Sequence, residues 1–183
     1  MYKNWCLSID IGGGLGKDYS AFSLIDPMSY KQVMNFKNNN IAVLDFANLV
    51  IKFVKIYVPN AVIIPERNFN SAFIEAIQKS DVAGNLYYTS TDDKDYTQKK
   101  IKKNSIFKKN TFSGTETRKY GFNTDGPKRK VMTEEILFMM ANTRPELINN
   151  QTLFDEIRKL IRERSGKINH MNGEHDEIGR AHV

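Results

Sequence analysis

A chain of 183 residues is long enough to bury a core of its own without disulfide or metal staples. With 40% hydrophobic and 26% charged residues it is neither a disordered tail nor a collagen-like repeat. The 27 Lys and Arg against 21 Asp and Glu leave a net charge of +6, which favours a polyanionic partner, nucleic acid first.

Cys6 is the single cysteine, so no intrachain disulfide and no thiolate metal cluster can form, and a cytosolic setting is expected. The longest apolar stretch, Ile41 to Val58, is interrupted by Asp45, Asn48, Lys52 and Lys55. That pattern makes an amphipathic helix and no membrane span. The N-terminus has no signal-peptide pattern.

Trp5 to Ile11 predicts a buried strand carrying Asp10 at its end, followed by the turn-forming run Gly12-Gly13-Gly14-Leu15-Gly16. Ala21 to Asp26 and Tyr30 to Phe36 predict two more strands joined by a turn at Asp26-Pro27, together a three-strand antiparallel meander. Ile41, Leu44, Ala47, Ile51, Val54 and Val58 recur at helical spacing, and Pro59-Asn60 stops the helix before a strand over Ala61 to Ile64. Ile64-Pro65-Glu66 is a second apolar strand ending in an acid, and Asn70 can cap the helix implied by Ala72, Phe73, Ala76 and Ile77.

Leu86-Tyr87-Tyr88 is a fifth strand candidate. Thr91 to Arg118 is polar and cationic, with Lys99, Lys100, Lys102, Lys103, Lys108 and Lys109, and predicts a long basic loop. Turn residues from Gly121 lead to the cations Lys128, Arg129 and Lys130, and helical periodicity resumes over Val131 to Met140. Leu153, Ile157, Leu160 and Ile161 predict one more helix, then a small hairpin leads to Glu174-His175-Asp176-Glu177.

Asp10 and Glu66 end neighbouring strands, and Asp176 follows the last hairpin. Clustered carboxylates repel one another unless a cation neutralises them, and hard oxygen ligands suit Mg2+ or Mn2+. Two such ions about 3.5–4 Å apart can activate water and stabilise the leaving oxygen of a phosphodiester, which is hydrolytic nuclease chemistry. The plain reading of each acid alone is a solvated turn residue.

Ser8-Ile9-Asp10 with its glycine loop and Lys17-Asp18-Tyr19, Ile64-Pro65-Glu66-Arg67-Asn68, Tyr120-Gly121-Phe122-Asn123-Thr124 with its following cations, and Gly173-Glu174-His175-Asp176 occur in order. On these motifs the chain resembles the nuclease domain of a tailed-phage terminase large subunit, from about Tyr2 to Glu177. The resemblance implies an α/β, RNase H-like fold, with a mixed five-stranded sheet of three antiparallel and two parallel strands flanked by helices. It implies a catalytic and metal-binding triad of Asp10, Glu66 and Asp176 holding Mg2+ or Mn2+ as two ions, with Asp18 an accessory acid beside the metals. His175 is read as a local orienter of the site.

The function so implied is a divalent-metal-dependent endodeoxyribonuclease that cuts concatemeric viral DNA during packaging in the host cytoplasm. Its partners are double-stranded DNA and, in the full-length protein, an ATPase motor domain, a portal and a small terminase subunit; the isolated domain is expected to be a monomer. The expected domain runs over 1–177 and lacks the family's closing apolar helix. Residues 178–183, Ile-Gly-Arg-Ala-His-Val, resemble one reading frame of a sequencing adaptor and are expected to be non-native.

Lys128, Arg129 and Lys130, with Lys108 and Lys109, are the candidate DNA-backbone contacts, against a plain reading as solvated cations. Three cations at a helix start oppose its dipole, which argues for a use. The glycine run satisfies no nucleotide-loop pattern, because Asp18 follows Lys17 at too short a spacing. With one copy of the motif, the phosphate hairpin of actin-like ATPases is a weak alternative, and three histidines are too few for a zinc site. The remaining rivals are another RNase H-like nuclease, such as a Holliday-junction resolvase, and a DNA-binding module without catalysis.

Overall fold

The computed structural model describes residues 4–13, 16, 18–67, 71–90, 118–124, 128, 131–132, 138–158, 160–162 and 168–170. Its centre is a four-stranded sheet built from β1 (Cys6–Asp10), β2 (Ser20–Asp26), β3 (Lys31–Asn38) and β4 (Val62–Pro65), in the order β3-β2-β1-β4. β1 and β3 flank β2 as antiparallel partners, which is the expected meander, and β4 runs parallel to β1 after the crossover helix.

Side chains alternate between the two faces of this sheet, and the alternation is sharp. Leu7 opposite Leu24 and Ile9 opposite Phe22 point to one face; Ser8 opposite Ser23 and Asp10 opposite Ala21 point to the other. The first face is covered by α1 (Val43–Tyr57) and α2 (Ser71–Gln78), packing Phe46, Val50, Val54, Phe73 and Ile77 onto the strand residues. Phe22 stacks on Phe36 and Phe53, each at 5.3 Å between centroids, and Phe46 meets Phe73 at 5.5 Å. Each fully buried Phe, Leu or Ile here is worth about 1.5–3 kcal/mol of burial.

The turn before β3 forms at Asp26-Pro27 as expected, with Tyr30 N–H on the Asp26 carbonyl at 2.7 Å. Tyr30 is its last residue, at φ +59°, and so lies outside the strand predicted to begin there. The crossover helix keeps most of the expected stripe, with Ala47, Val54 and Val58 buried and Ile41 and Ile51 packed on the core, and departs from it at Leu44. Leu44 is 56% exposed, while Phe46, Ala47, Val50 and Val54 are buried, because the aromatic ring of Phe46 fits the Phe22–Phe36–Phe73 cluster.

The second face carries α3 (Phe138–Thr143), a short 3-10 turn at Pro145–Leu147, and α4 (Gln151–Arg158), which pack Met140, Leu147, Ile148, Leu153 and Ile157 against Ala21. The expected last helix reaches only Arg158; Leu160 and Ile161 belong to β7 (Leu160–Arg162), paired with β8 (Ile168–His170) in its own ladder. A short apolar run supports either period, and cross-strand pairing decided it.

Among the described residues the sheet has four strands where five were expected. Leu86 joins β4 through a single parallel bridge to Ile63, with Tyr87 N–H on the Ile63 carbonyl at 2.8 Å. The chain then turns away to pair β5 (Tyr88–Ser90) with β6 (Arg118–Tyr120) as a separate ladder, drawn off by Gly121 N–H on the Tyr87 carbonyl. The predicted loop therefore ends before Arg118, which pairs with Ser90; 91–117 lie outside the described residues. No described helix is long and apolar enough to cross a membrane.

Candidate active site

Asp10 and Glu66 end up side by side, and the sheet register is the reason. Ile9 stands beside Pro65 in the parallel β1/β4 pair, and Glu66 N–H donates to the Ile9 carbonyl at 2.8 Å, so the next residue on each strand is an acid. Counting the alternation from Ser8 and Ile64 puts both carboxylates on the second face, at the carboxyl ends of their strands. In open α/β sheets ligands bind outside those ends. Asp10 is only 3% exposed and Glu66 is half-buried, so the pair is partly screened from water.

The chain leaves β1 through a tight corner. Gly12 N–H donates to Ser20 Oγ at 3.2 Å, and a Cβ on Gly12 would lie 2.4 Å from the Tyr19 carbonyl oxygen and 2.7 Å from that of Asp18. Only glycine fits, which explains the start of the glycine run without any nucleotide. The same approach brings the backbone of Asp18 against residue 12, two positions beyond Asp10, with the Asp18 side chain exposed.

On its other side Glu66 bridges Phe122, whose N–H donates to the Pro65 carbonyl at 2.8 Å. Lys128 extends over the Phe122 ring at 5.6 Å and reaches the Asn123 carbonyl at 3.5 Å, so this member of the cationic cluster stands on the segment that bridges Glu66. Asp176, His175, Arg129, Lys130, Lys108 and Lys109 lie outside the described residues. A cavity of about 440 Å³ opens on the second face beside Glu66, walled by Ser8, Ile64, Tyr87, Phe122 and Met140.

Residues the sequence reading passed over also stand here. Lys37 lies opposite Ala21, which is opposite Asp10, so all share one row of the second face. Its ammonium pairs with Glu156 of α4 at 2.6 Å and lies 4.2 Å from the Tyr19 ring centroid. Nothing in one sequence links residues 119 apart. Burial holds the thiol of Cys6, on the cavity wall, above its ordinary pKa.

The donor set fits a hard divalent cation. Two carboxylates at neighbouring positions on one face repel each other until a cation lies between them, and oxygen donors suit Mg2+ or Mn2+. Among the described residues no group of three or more His, Cys, Asp or Glu could hold a metal, so the pair needs further oxygen ligands from elsewhere.

A mixed-sheet α/β domain with two acids at neighbouring strand ends is the class these features define. Its fold is that of the nuclease domains of phage large terminases. The crystal structure of the large terminase nuclease from thermophilic phage G20c matches 98% of this chain and 78% of its own with a TM-score of 0.60 at 16% identity. Its magnesium-bound form gives 0.61 at 15% identity over the same 98% and 78%. The nuclease domain of Thermus phage P74-26 gives 0.61 at 16% identity, over 98% of this chain and 76% of that one. A G20c structure with bound cobalt matches as well. No protein-family model and no curated protein matches the chain.

Proposed function

We propose that this chain is a divalent-metal-dependent DNA endonuclease domain of RNase H-like type, the part of a phage terminase large subunit that cuts concatemeric viral DNA during packaging. The observation that carries the proposal is the placement of Asp10 and Glu66 on one face at adjacent strand ends. The magnesium- and cobalt-bound neighbours support divalent-metal use.

In this reading Asp10 and Glu66 hold Mg2+ or Mn2+ as a pair of ions, with Asp176 the third carboxylate and Asp18 and His175 accessory to them. When bound, such ions supply Lewis acidity to water and to the phosphate oxygens. The chain's own contribution is position. Burial at 3% exposure restricts the Asp10 side chain, and the Ile9 and Phe122 contacts set the backbone of Glu66. Lys128 with Arg129 and Lys130, and Lys108 with Lys109, draw the DNA backbone toward the acids in a sequence-tolerant, salt-sensitive way. The site of action is the host cytoplasm, beside the motor, portal and small-subunit partners.

Plasmid nicking and linearisation in Mn2+ or Mg2+ tests this. Asp10→Asn and Glu66→Gln should each lower cleavage by at least about 100-fold, the upper end of what outer-shell changes cost, while circular dichroism and DNA retention in EDTA stay as in the wild type. Cleavage by Asp10→Asn at the wild-type rate would end the proposal. DNA retention without cleavage in any divalent metal would select a non-catalytic binding module.

A further inference from the structure

An arginine beside a nuclease acid is ordinarily read as a phosphate contact. Arg67 follows Glu66, but its guanidinium is committed elsewhere. Nε donates to the Tyr120 carbonyl at 2.9 Å, and one terminal nitrogen donates to the carbonyls of Lys119 and Gly121 at 3.0 and 2.7 Å and to Thr89 Oγ1 at 3.3 Å. One side chain thus ties three consecutive carbonyls of the β6 end, and a hydroxyl of β5, to the residue after the acid.

The tied segment is the one that fixes Glu66. Phe122 bridges Glu66, its N–H holds the Pro65 carbonyl, and its own carbonyl accepts from Arg67 N–H at 2.6 Å. Gly121, at φ +80°, is pressed so close that a Cβ would fall 2.8 Å from the Pro65 oxygen. On the β1 side the parallel ladder that ends with Glu66 N–H on the Ile9 carbonyl fixes the strand carrying Glu66. On the other side its backbone rests on the docked 119–122 segment.

We infer that Arg67 is a positioning residue: its fork onto the 119–121 carbonyls sets the Glu66 carboxylate against Asp10 and thereby sets metal affinity. This deepens the nuclease reading and rests on it. Planar, multi-acceptor geometry is what a guanidinium provides and an ammonium does not, so Lys at this position keeps the charge and loses the clamp.

The test is calorimetric titration of the whole protein with Mn2+ alone, without DNA, on wild type, Arg67→Lys and Gly121→Ala. Both variants should bind Mn2+ about 10-fold more weakly, the scale of an outer-shell defect, with cleavage restored at raised Mn2+ and DNA affinity in EDTA unchanged. Gly121→Ala disturbs the same segment without touching a cation, so agreement between the two separates position from charge. Equal Mn2+ affinity in wild type and Arg67→Lys would overturn the inference alone. So would unchanged Mn2+ affinity with a salt dependence of DNA binding reduced by about one unit in Arg67→Ala, the mark of a phosphate contact. A wild-type protein that takes up no Mn2+ would bring down the nuclease reading and the inference together.

Discussion

The two faces of the central sheet are built from the same strands and do opposite work. One is lined by Leu7, Ile9, Phe22, Leu24 and Ile63 under α1 and α2, with four of these at 1% exposure or less. The other carries Ser8, Asp10, Ser23 and Gln32, where Gln32 Nε2 donates to Ser23 Oγ at 2.9 Å, and its helical cover rests on Ala21 and leaves a cavity beside Glu66. The apolar face supplies burial that is non-directional. The polar face contributes less burial and depends on angles and distances, which is the setting a ligand-binding pair of acids requires.

Substitutions can break this division. Phe46→Ala on the apolar face should cost the most, about 3–5 kcal/mol, measured by denaturant unfolding, with Mn2+ affinity of the folded protein retained. A loss below about 1 kcal/mol, the range of a volume-conserving swap, would show the apolar face to be loosely packed. Lys37→Met on the polar face should cost about 1–3 kcal/mol, less than the 3–5 of a fully buried pair because the Lys37 side chain is 18% exposed. Adding Glu156→Leu should recover part of that loss, since the carboxylate that lost its Lys37 partner goes with it; no recovery would mean that the ion pair is not what anchors α4.

The smallest effect belongs outside both faces. Lys55 holds Asp81 below its ordinary carboxylate pKa, chiefly through a side-chain hydrogen bond. A lowered native pKa stabilises above the unfolded value and is lost as pH falls through the lowered one. Asp81→Asn should therefore remove a shallow acid-side decline in Tm and change Tm at neutral pH less than Lys37→Met does, because both groups are solvent-exposed. A larger drop at neutral pH than that of Lys37→Met would contradict the ranking.

Much of the scaffold is legible in the chain itself. The alternation of Leu7-Ser8-Ile9-Asp10, the turn at Asp26-Pro27 and the stop at Pro59-Asn60 are local rules, and they lead to β1, the meander and the end of α1. The helical stripe is less so. Leu44 and Phe46 are both apolar, and what buries Phe46 is the aromatic cluster that α1 meets. The fifth strand forms beside its predicted place for a related reason, since Leu86 to Tyr88 has strand composition but joins the central sheet only through the Ile63 bridge and pairs from Tyr88 onward with β6.

Of the site, the acids at the ends of two apolar runs were readable as residues, because a strand ending in Asp or Glu is a local pattern. That they are neighbours on one face is a matter of register, set by the β1/β4 pairing and the hydrogen bond between Ile9 and Glu66, 57 positions apart (66 − 9), to which no local rule applies. Arg67 shows the same limit. Its charge is plain in the sequence, but only the folded arrangement brings the 119–121 carbonyls to its guanidinium, converting what reads as a surface cation into an internal tie. Chemistry written into single residues survives translation from sequence to fold; pairing, register and which way a charge turns depend on distant atoms, and the tertiary structure alone decides them.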